Sequence, residues 1–214
     1  MSIYLYGCGG HAKVIADILR CRNQPVAGFV DDDPAKTVSH IRNVPILSSA
    51  QLDNISPTKS RWIVSIGDNA TRQLIAQKLA NRGYVFTTAV HPSAQVAEGV
   101  AIGAGTVVMA NAVVNVDTVI GKHAIINTGA VVDHDCQISD YAHVAPNCGL
   151  CGGVQIGTGA LLGVGTQAIP GRRVGAWAVC GAGSVLVADV PADCLAYGVP
   201  TSPKKYFQDL SQGA

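Results

Sequence analysis

The chain has 214 residues, room for one large or two modest domains; 48% are apolar, only 14% are charged, and the formal net charge is +1. With no basic run or arginine-rich face to attract a polyanion, nucleic acid is excluded as an expected partner. The first ten residues lack a positive segment and reach glycine too early for a signal peptide, and no apolar run is long enough to span a bilayer, so the expected place is cytoplasmic, without membrane insertion.

In chain order, Ser2 to Tyr6 reads as a strand, Gly7-Cys8-Gly9-Gly10-His11 as a glycine turn, and Ala12 to Arg22 as a helix with Val14, Ile15, Ile18 and Leu19 at helical spacing. Strand, glycine turn and helix form a phosphate-binding arrangement, because the glycines let a ligand approach backbone N–H groups at the helix start. Val26 to Val30 is a second strand, ended by Asp31-Asp32-Asp33, where an acid commonly accepts from a ribose hydroxyl. A loop-rich stretch with at most one short helix near residues 48–54 follows. Arg61 to Ile66 is a third strand, Gly67-Asp68-Asn69 a turn, Ala70 to Arg82 a helix and Tyr84 to Val90 a fourth strand. The alternation predicts a small Rossmann-like parallel α/β domain over residues 1–90. Gly7-x-Gly9-x-x-Ala12 with Asp31 comes close to a dinucleotide fingerprint, yet ninety residues hold one mononucleotide half and so one nucleotide.

From Val96 to Leu186 every sixth residue is Val, Ile or Leu except Ala168 and Cys180, and the residue four places after each is usually small (Thr106, Ala112, Ala130, Cys136, Cys148). A period of six fits one short strand plus a corner, and three sides close an eighteen-residue coil with both residue sets pointing inward. The corners are assigned to Gly103, Asn111, Gly121, Asn127, Gly157, Gly163, Gly175 and Gly181. Residues 91–214 are thus predicted to be a β-solenoid with a C-terminal tail. Its outer faces carry Ala101, Val107, Val113, Val119, Ile125 and Val131, suited to packing against other copies of the chain. The seven cysteines read as free thiols; Cys148 and Cys151 form a C-x-x-C with the first inward and the second at a corner, unlike a redox or zinc pair.

Among the polar residues of the repeat, His123, His134 and His143 need explaining. His134 lies at a corner between Asp133 and Asp135, and an imidazole beside a carboxylate that fixes its tautomer suits a general base near neutral pH. His143 points outward from a flat side. The alternatives are three solvated surface histidines, or a zinc hydratase of the γ-carbonic-anhydrase kind. The latter needs three converging histidines, whereas these are separated by 11 and 9 residues, not by eighteen.

The repeat resembles the left-handed parallel β-helix of the hexapeptide acyltransferases. The run Ile126 to Cys136, with Gly7-Cys8-Gly9-Gly10-His11-Ala12-Lys13 and Gly198-Val199-Pro200, resembles more closely the NeuD/PglD-type sugar O- and N-acetyltransferases, over nearly the whole chain. The resemblance implies transfer of an acetyl group from acetyl-CoA, with no metal, to the amine or hydroxyl of a nucleotide-linked amino sugar or a sialic acid for surface glycans. It also implies His134 as general base, Asp135 as the acid raising its basicity, His143, Val164 and Ala182 as acetyl-CoA contacts, and Gly9, Gly10, His11, Asp31, Asp32 and Gly67 as the nucleotide-sugar site. The family member acetylating bacillosamine precursors has Glu where Asp135 stands. A non-catalytic sugar-nucleotide sensor is the further alternative. Because His134 and His143 point outward on different sides, a homotrimer with active sites between subunits is expected.

Overall fold

The computed structural model describes residues 1–36 and 40–207. Strand β1 (Ser2–Tyr6), helix α1 (Gly10–Cys21), β2 (Val26–Asp31), β3 (His40–Ile41), β4 (Val44–Ser48), β5 (Ser60–Val64) and helix α2 (Asn69–Ala80) build the first half. The sheet order is β3-β4-β2-β1-β5, parallel throughout except for the β3–β4 hairpin. The short helix expected near residues 48–54 is a 3-10 helix at Ser49–Asn54. Strand β4 falls in the predicted loop, where Pro45 and short polar flanks masked its Val-x-Ile-Leu core.

The predicted fourth strand, Tyr84 to Val90, does not form in this sheet. Phe86 makes one bridge beside Trp62 of β5, and Ala89–Val90 then pairs with Val107–Val108 as the first rung of the coils. The physical reason is that Ala89 is wholly buried between the two halves, in the same apolar cluster as Ile15, Ile18 and Phe29 on one side and Val107, Met109 and Ile125 on the other.

From there the chain winds as a parallel β-helix of two-residue strands. Each strand pairs with those eighteen residues away, as Val113 does with Val131 and Val131 with Gly149, which gives three flat faces. The inward residues of the six-residue register form one core column, from Val108 and Val114 through Leu162 and Cys180 to Leu186, and nearly all are fully buried. Each buried Val, Leu or Ile contributes about 1.5–3 kcal/mol relative to exposure. A hairpin of Cys194–Tyr197 and Ser202–Tyr206 closes the C-terminal end, with Gly198-Val199-Pro200 in its turn.

The corners are made two places later than the sequence suggested. Every sixth residue from Gly99 to Gly183 has a positive φ, and of the eight assigned corner residues only Asn111 is among them. Glycines such as Gly157 and Gly163 serve a different purpose: a methyl group there would stand 2.5 and 2.6 Å from the backbone nitrogens of Ala176 and Ala182 in the next coil.

Two of the expected intersubunit residues are already covered within the chain. Val107 and Ile125 lie under α1, 1% and 0% exposed, whereas Val119 and Val131 on the other two faces are 52% and 42% exposed.

Candidate active site

His134 sits at the corner after Val131–Val132, with its side chain 55% exposed. Asp135 follows in the left-handed region (φ 58°), a conformation Asp tolerates, and this turn brings its carboxylate onto the ring: His134 Nδ1 is 2.7 Å from Asp135 Oδ2. Nδ1–H therefore donates to Asp135 and Nε2 keeps its lone pair. The hydrogen bond to Asp135, followed by the negative charge of Asp133, raises the His134 pKa above its ordinary value. One coil later, Gly152 lies against the ring; a methyl group there would stand 2.5 Å from Cε1 and 2.7 Å from Nε2. The eighteen-residue spacing of 134 and 152 was a legible signal for this neighbour.

The six residues expected to hold a nucleotide sugar come together. Gly9, Gly10, His11, Asp31, Asp32 and Gly67 line one cavity of about 390 Å³ beyond the carboxyl ends of β1, β2 and β5. A methyl group built on Gly9, Gly10 or Gly67 would meet nothing within 4 Å, so the glycines leave open space, and α1 starts with no side-chain cap on its free N–H groups. The two acids also support the cavity wall. Asp31 Oδ2 accepts from Cys8 N at 3.1 Å and Cys8 Sγ at 3.0 Å, while both oxygens of Asp32 accept from Tyr6 Oη at 2.8–2.9 Å. Burial pushes both carboxyls up, but these donors and the nearby lysines outweigh it, so both remain anions.

His143, on the face covered by the first half, is separate from His134. Its Nε2 is 3.0 Å from Asn127 Nδ2, and burial, followed by the charges of Arg72 and His11, lowers its pKa to about 4. It is a neutral imidazole at neutral pH. Val164, 51% exposed, and Ala182 are eighteen apart and occupy one corner of successive coils, a different corner from that of His134. His123 is not a surface residue: it is 4% exposed, edge-on to Phe86 at 4.4 Å and stacked on Tyr141 at 5.3 Å. The three histidines thus do not converge, and among the described residues no three His, Cys, Asp or Glu side chains form a metal-binding group.

Sequence reasoning missed the residue that holds the cavity of Gly9, His11 and Gly67 against the coils. Arg72, 1% exposed, makes five hydrogen bonds, all to oxygens of neutral groups: Nε to His123 O (2.8 Å), Nη1 to Ile66 O and Gly67 O (3.0 Å each), and Nη2 to Asn69 Oδ1 and Tyr141 O (2.7 Å each). Asn69 Nδ2 extends the series to Gly159 O at 2.9 Å. Residues 123, 141 and 159 are the same corner of three successive coils, so α2 is docked rung by rung, and the Gly67 loop is fixed beside His143.

This arrangement has known counterparts. A family described as the PglD N-terminal domain matches residues 2–79. PerB from Caulobacter crescentus, in complex with CoA and GDP-perosamine, is 42% identical, with a TM-score of 0.90 over 96% of this chain and 98% of that one. The chain belongs to the NeuD/PglD-type sugar acetyltransferases. As a member it is an acetyl-CoA-dependent acetyltransferase, and its coils form a left-handed β-helix. Two further complexes of the Caulobacter crescentus enzyme carry Asn or Ala in place of one histidine. The acetyltransferase domain of PglB from Neisseria gonorrhoeae FA1090, in complex with acetyl coenzyme A, is 31% identical with a TM-score of 0.88, over 95% of this chain and 98% of that one. The curated UDP-N-acetylbacillosamine N-acetyltransferase of Bacillus subtilis (strain 168) is 36% identical over 112 residues, 51% of each chain, so this match spans about half the length of that relative. No helix among the described residues is long and apolar enough to cross a membrane.

Proposed function

We propose that this cytoplasmic enzyme acetylates the amine of a nucleotide-linked amino sugar by direct transfer, with His134 as general base. The observation that carries this is the pair of His134 Nδ1 and Asp135 Oδ2 at 2.7 Å, on a corner where the His134 side chain is 55% exposed and Nε2 keeps its lone pair. Nε2 takes a proton from the attacking amine; C–N bond formation expels CoA as a thiolate, and the imidazolium returns the proton to sulfur. A thiol of pKa near 8.5 leaves with little acid assistance. Asp135 fixes the tautomer and stabilises the imidazolium. The nucleotide lies in the cavity of Gly9, Gly10, His11, Asp31, Asp32 and Gly67, its phosphates at the start of α1. Acetyl-CoA lies along Val164 and Ala182 with its acyl end at neutral His143. The chain divides functionally near residue 90, acceptor before and acetyl transfer after.

Within one chain His134 and the Val164–Ala182 ridge stand at different corners, so a complete site takes His134 from one subunit and the acetyl-CoA contacts from its neighbour. That geometry favours a homotrimer packed through the faces of Val113, Val119 and Val131, which the first half leaves uncovered. The likeness to a GDP-perosamine complex over nearly the whole chain favours a GDP-linked amino sugar over the UDP-linked one named for the Bacillus subtilis relative, which is matched over half its length. A thiol-release assay with acetyl-CoA against GDP-perosamine, UDP-linked amino sugars and free sialic acid tests this reading. The expected order puts GDP-perosamine first, and turnover only with sialic acid would overturn it.

A further inference from the structure

We propose that Asp133 is a second substrate-contacting residue, forming with His134 Nε2 a two-acceptor notch that selects an amine over a hydroxyl. The inference rests on the acetyl-transfer reading and adds to it the chemical class of the attacking group. Two donors converge on one oxygen of Asp133: Asn115 Nδ2 at 2.8 Å and the backbone N–H of His134 at 2.9 Å, both to Oδ1. Thr118 Oγ1 donates to the carbonyl of Asp133 at 2.7 Å and steadies the backbone beneath. With Oδ1 engaged, Oδ2 is turned toward the imidazole and stands 4.0 Å from Nε2. That separation is too long for a direct hydrogen bond. The other ring nitrogen, Nδ1, is already taken by Asp135.

Nε2 and Oδ2 are therefore two bare acceptors, side by side on a corner where both side chains reach solvent. An atom about 2.8 Å from each sees them roughly 90° apart, close to the angle between two N–H bonds of a tetrahedral nitrogen. An amine fills the notch with two N–H donors, one to each acceptor. A hydroxyl owns a single hydrogen, so whichever acceptor receives it, the other faces an oxygen lone pair. The carboxylate also favours arrival of the amine as ammonium.

The reaction balances on these groups. The ammonium releases one proton to water as it docks, leaving R–NH2 with one N–H on Asp133 Oδ2 and one on His134 Nε2. The nitrogen lone pair forms the C–N bond to the thioester carbonyl carbon, and the C–S bond breaks. His134 takes the proton on its side and passes it to the CoA thiolate, while Asp133 keeps the N–H that remains in the product amide.

The test compares wild type with Asp133→Asn in steady-state kinetics with GDP-perosamine. It also compares their inhibition by the same GDP-sugar bearing a hydroxyl in place of the amine. The expected result is a loss of about tenfold to a hundredfold in kcat/KM for the amine, the range of one charge-assisted hydrogen bond. The inhibition constant of the hydroxyl sugar and the KM for acetyl-CoA should stay within about twofold. Equal weakening of amine and hydroxyl sugars would reduce Asp133 to scaffold, and an unchanged kcat/KM would also overturn its role. Asn115→Ala keeps the carboxylate but frees it to rotate. It should lose part of the same preference, and a full preference retained there would count against the notch even if Asp133→Asn fails to fold. Wild-type turnover with an unaffected Asp133→Asn brings down this inference alone, whereas a wild type that acetylates none of the nucleotide amino sugars brings down the parent reading with it.

Discussion

His134 owes its chemistry to one turn. The left-handed φ of Asp135 folds its carboxylate back onto Nδ1, and the raised pKa that results sets the sign of the pH dependence. A base must be unprotonated to act, so the acid limb of kcat/KM should lie above the ordinary histidine value of 6.5. Asp135→Asn removes the largest cause of the rise and should move that limb to lower pH while slowing turnover by less than His134→Ala. The alanine variant should lose roughly a hundredfold or more in kcat with acetyl-CoA still bound, as expected for a general base. A rate within a few-fold of wild type would mean that the amine deprotonates without help. Gly152 makes a second residue-scale prediction. Because a methyl group there collides with the imidazole, Gly152→Ala should push His134 off Asp135 and cost turnover, with the coil fold and acetyl-CoA affinity retained. An unchanged acid limb and rate in that variant would show that the ring has room to adjust.

The glycine turn and α1 act together at the next scale. Gly9 caps the helix, Gly10 opens it, and neither has a neighbour within reach of a side chain, so the first turn of N–H groups faces open cavity. Gly10→Val adds bulk to that opening without straining the backbone. It should raise the KM for the nucleotide sugar severalfold or more and leave that for acetyl-CoA nearly unchanged. Equal effects on the two substrates would mean that the cavity of Asp31 and Gly67 is not the acceptor site. The place of the two acids after β2 was readable, and both line the cavity, but their structural task was not readable. Only the packed structure shows Asp31 tied to Cys8 and Asp32 to Tyr6.

The whole molecule is held at the junction of its halves, where the buried guanidinium of Arg72 meets three imidazoles. His11, His123 and His143 each have a folded pKa lowered to about 4, first by burial and then by the charge of Arg72. The unfolded chain binds these protons near 6.5, so between about pH 6.5 and 4 it binds more protons than the folded one, and stability falls as pH falls. Each group is worth at most about 3 kcal/mol across the window. Thermal midpoints should therefore drop steeply from pH 6.5 to 4.5, and His123→Phe should flatten the drop. A midpoint flat over this range would mean that the junction opens without unfolding the coils. The assembly is the second prediction at this scale. Sedimentation should show a trimer at micromolar concentration, and mixing inactive His134→Ala subunits with inactive subunits carrying a bulky Val164 substitution should restore part of the activity. A fully active monomer would exclude the shared site.

The six-residue register determined the coils by itself, because a solenoid repeats one local rule and nearly every inward position from Val96 to Leu186 obeys it. Strand, glycine turn and helix at the N-terminus were equally local, and so were their consequences for the cavity. His134 beside Asp135 could be read because the two are adjacent in sequence. What the tertiary structure decided involves residues far apart in the chain. Tyr84 to Val90 keeps only the Phe86 bridge to the first sheet, because burying Ala89 against the coils outweighed its strand pattern. Val107 and Ile125, outward in the register, were covered by α1 of the same chain. Arg72 reads as an ordinary surface cation of a helix; it is a buried clamp because the carbonyls of His123 and Tyr141, eighteen residues apart, stack at one corner beneath it. A sequence periodicity specifies which residues face inward. Which outward face is then covered, and by what, depends on where the two halves meet, and that contact is set by shape and unsatisfied carbonyls rather than by any pattern along the chain.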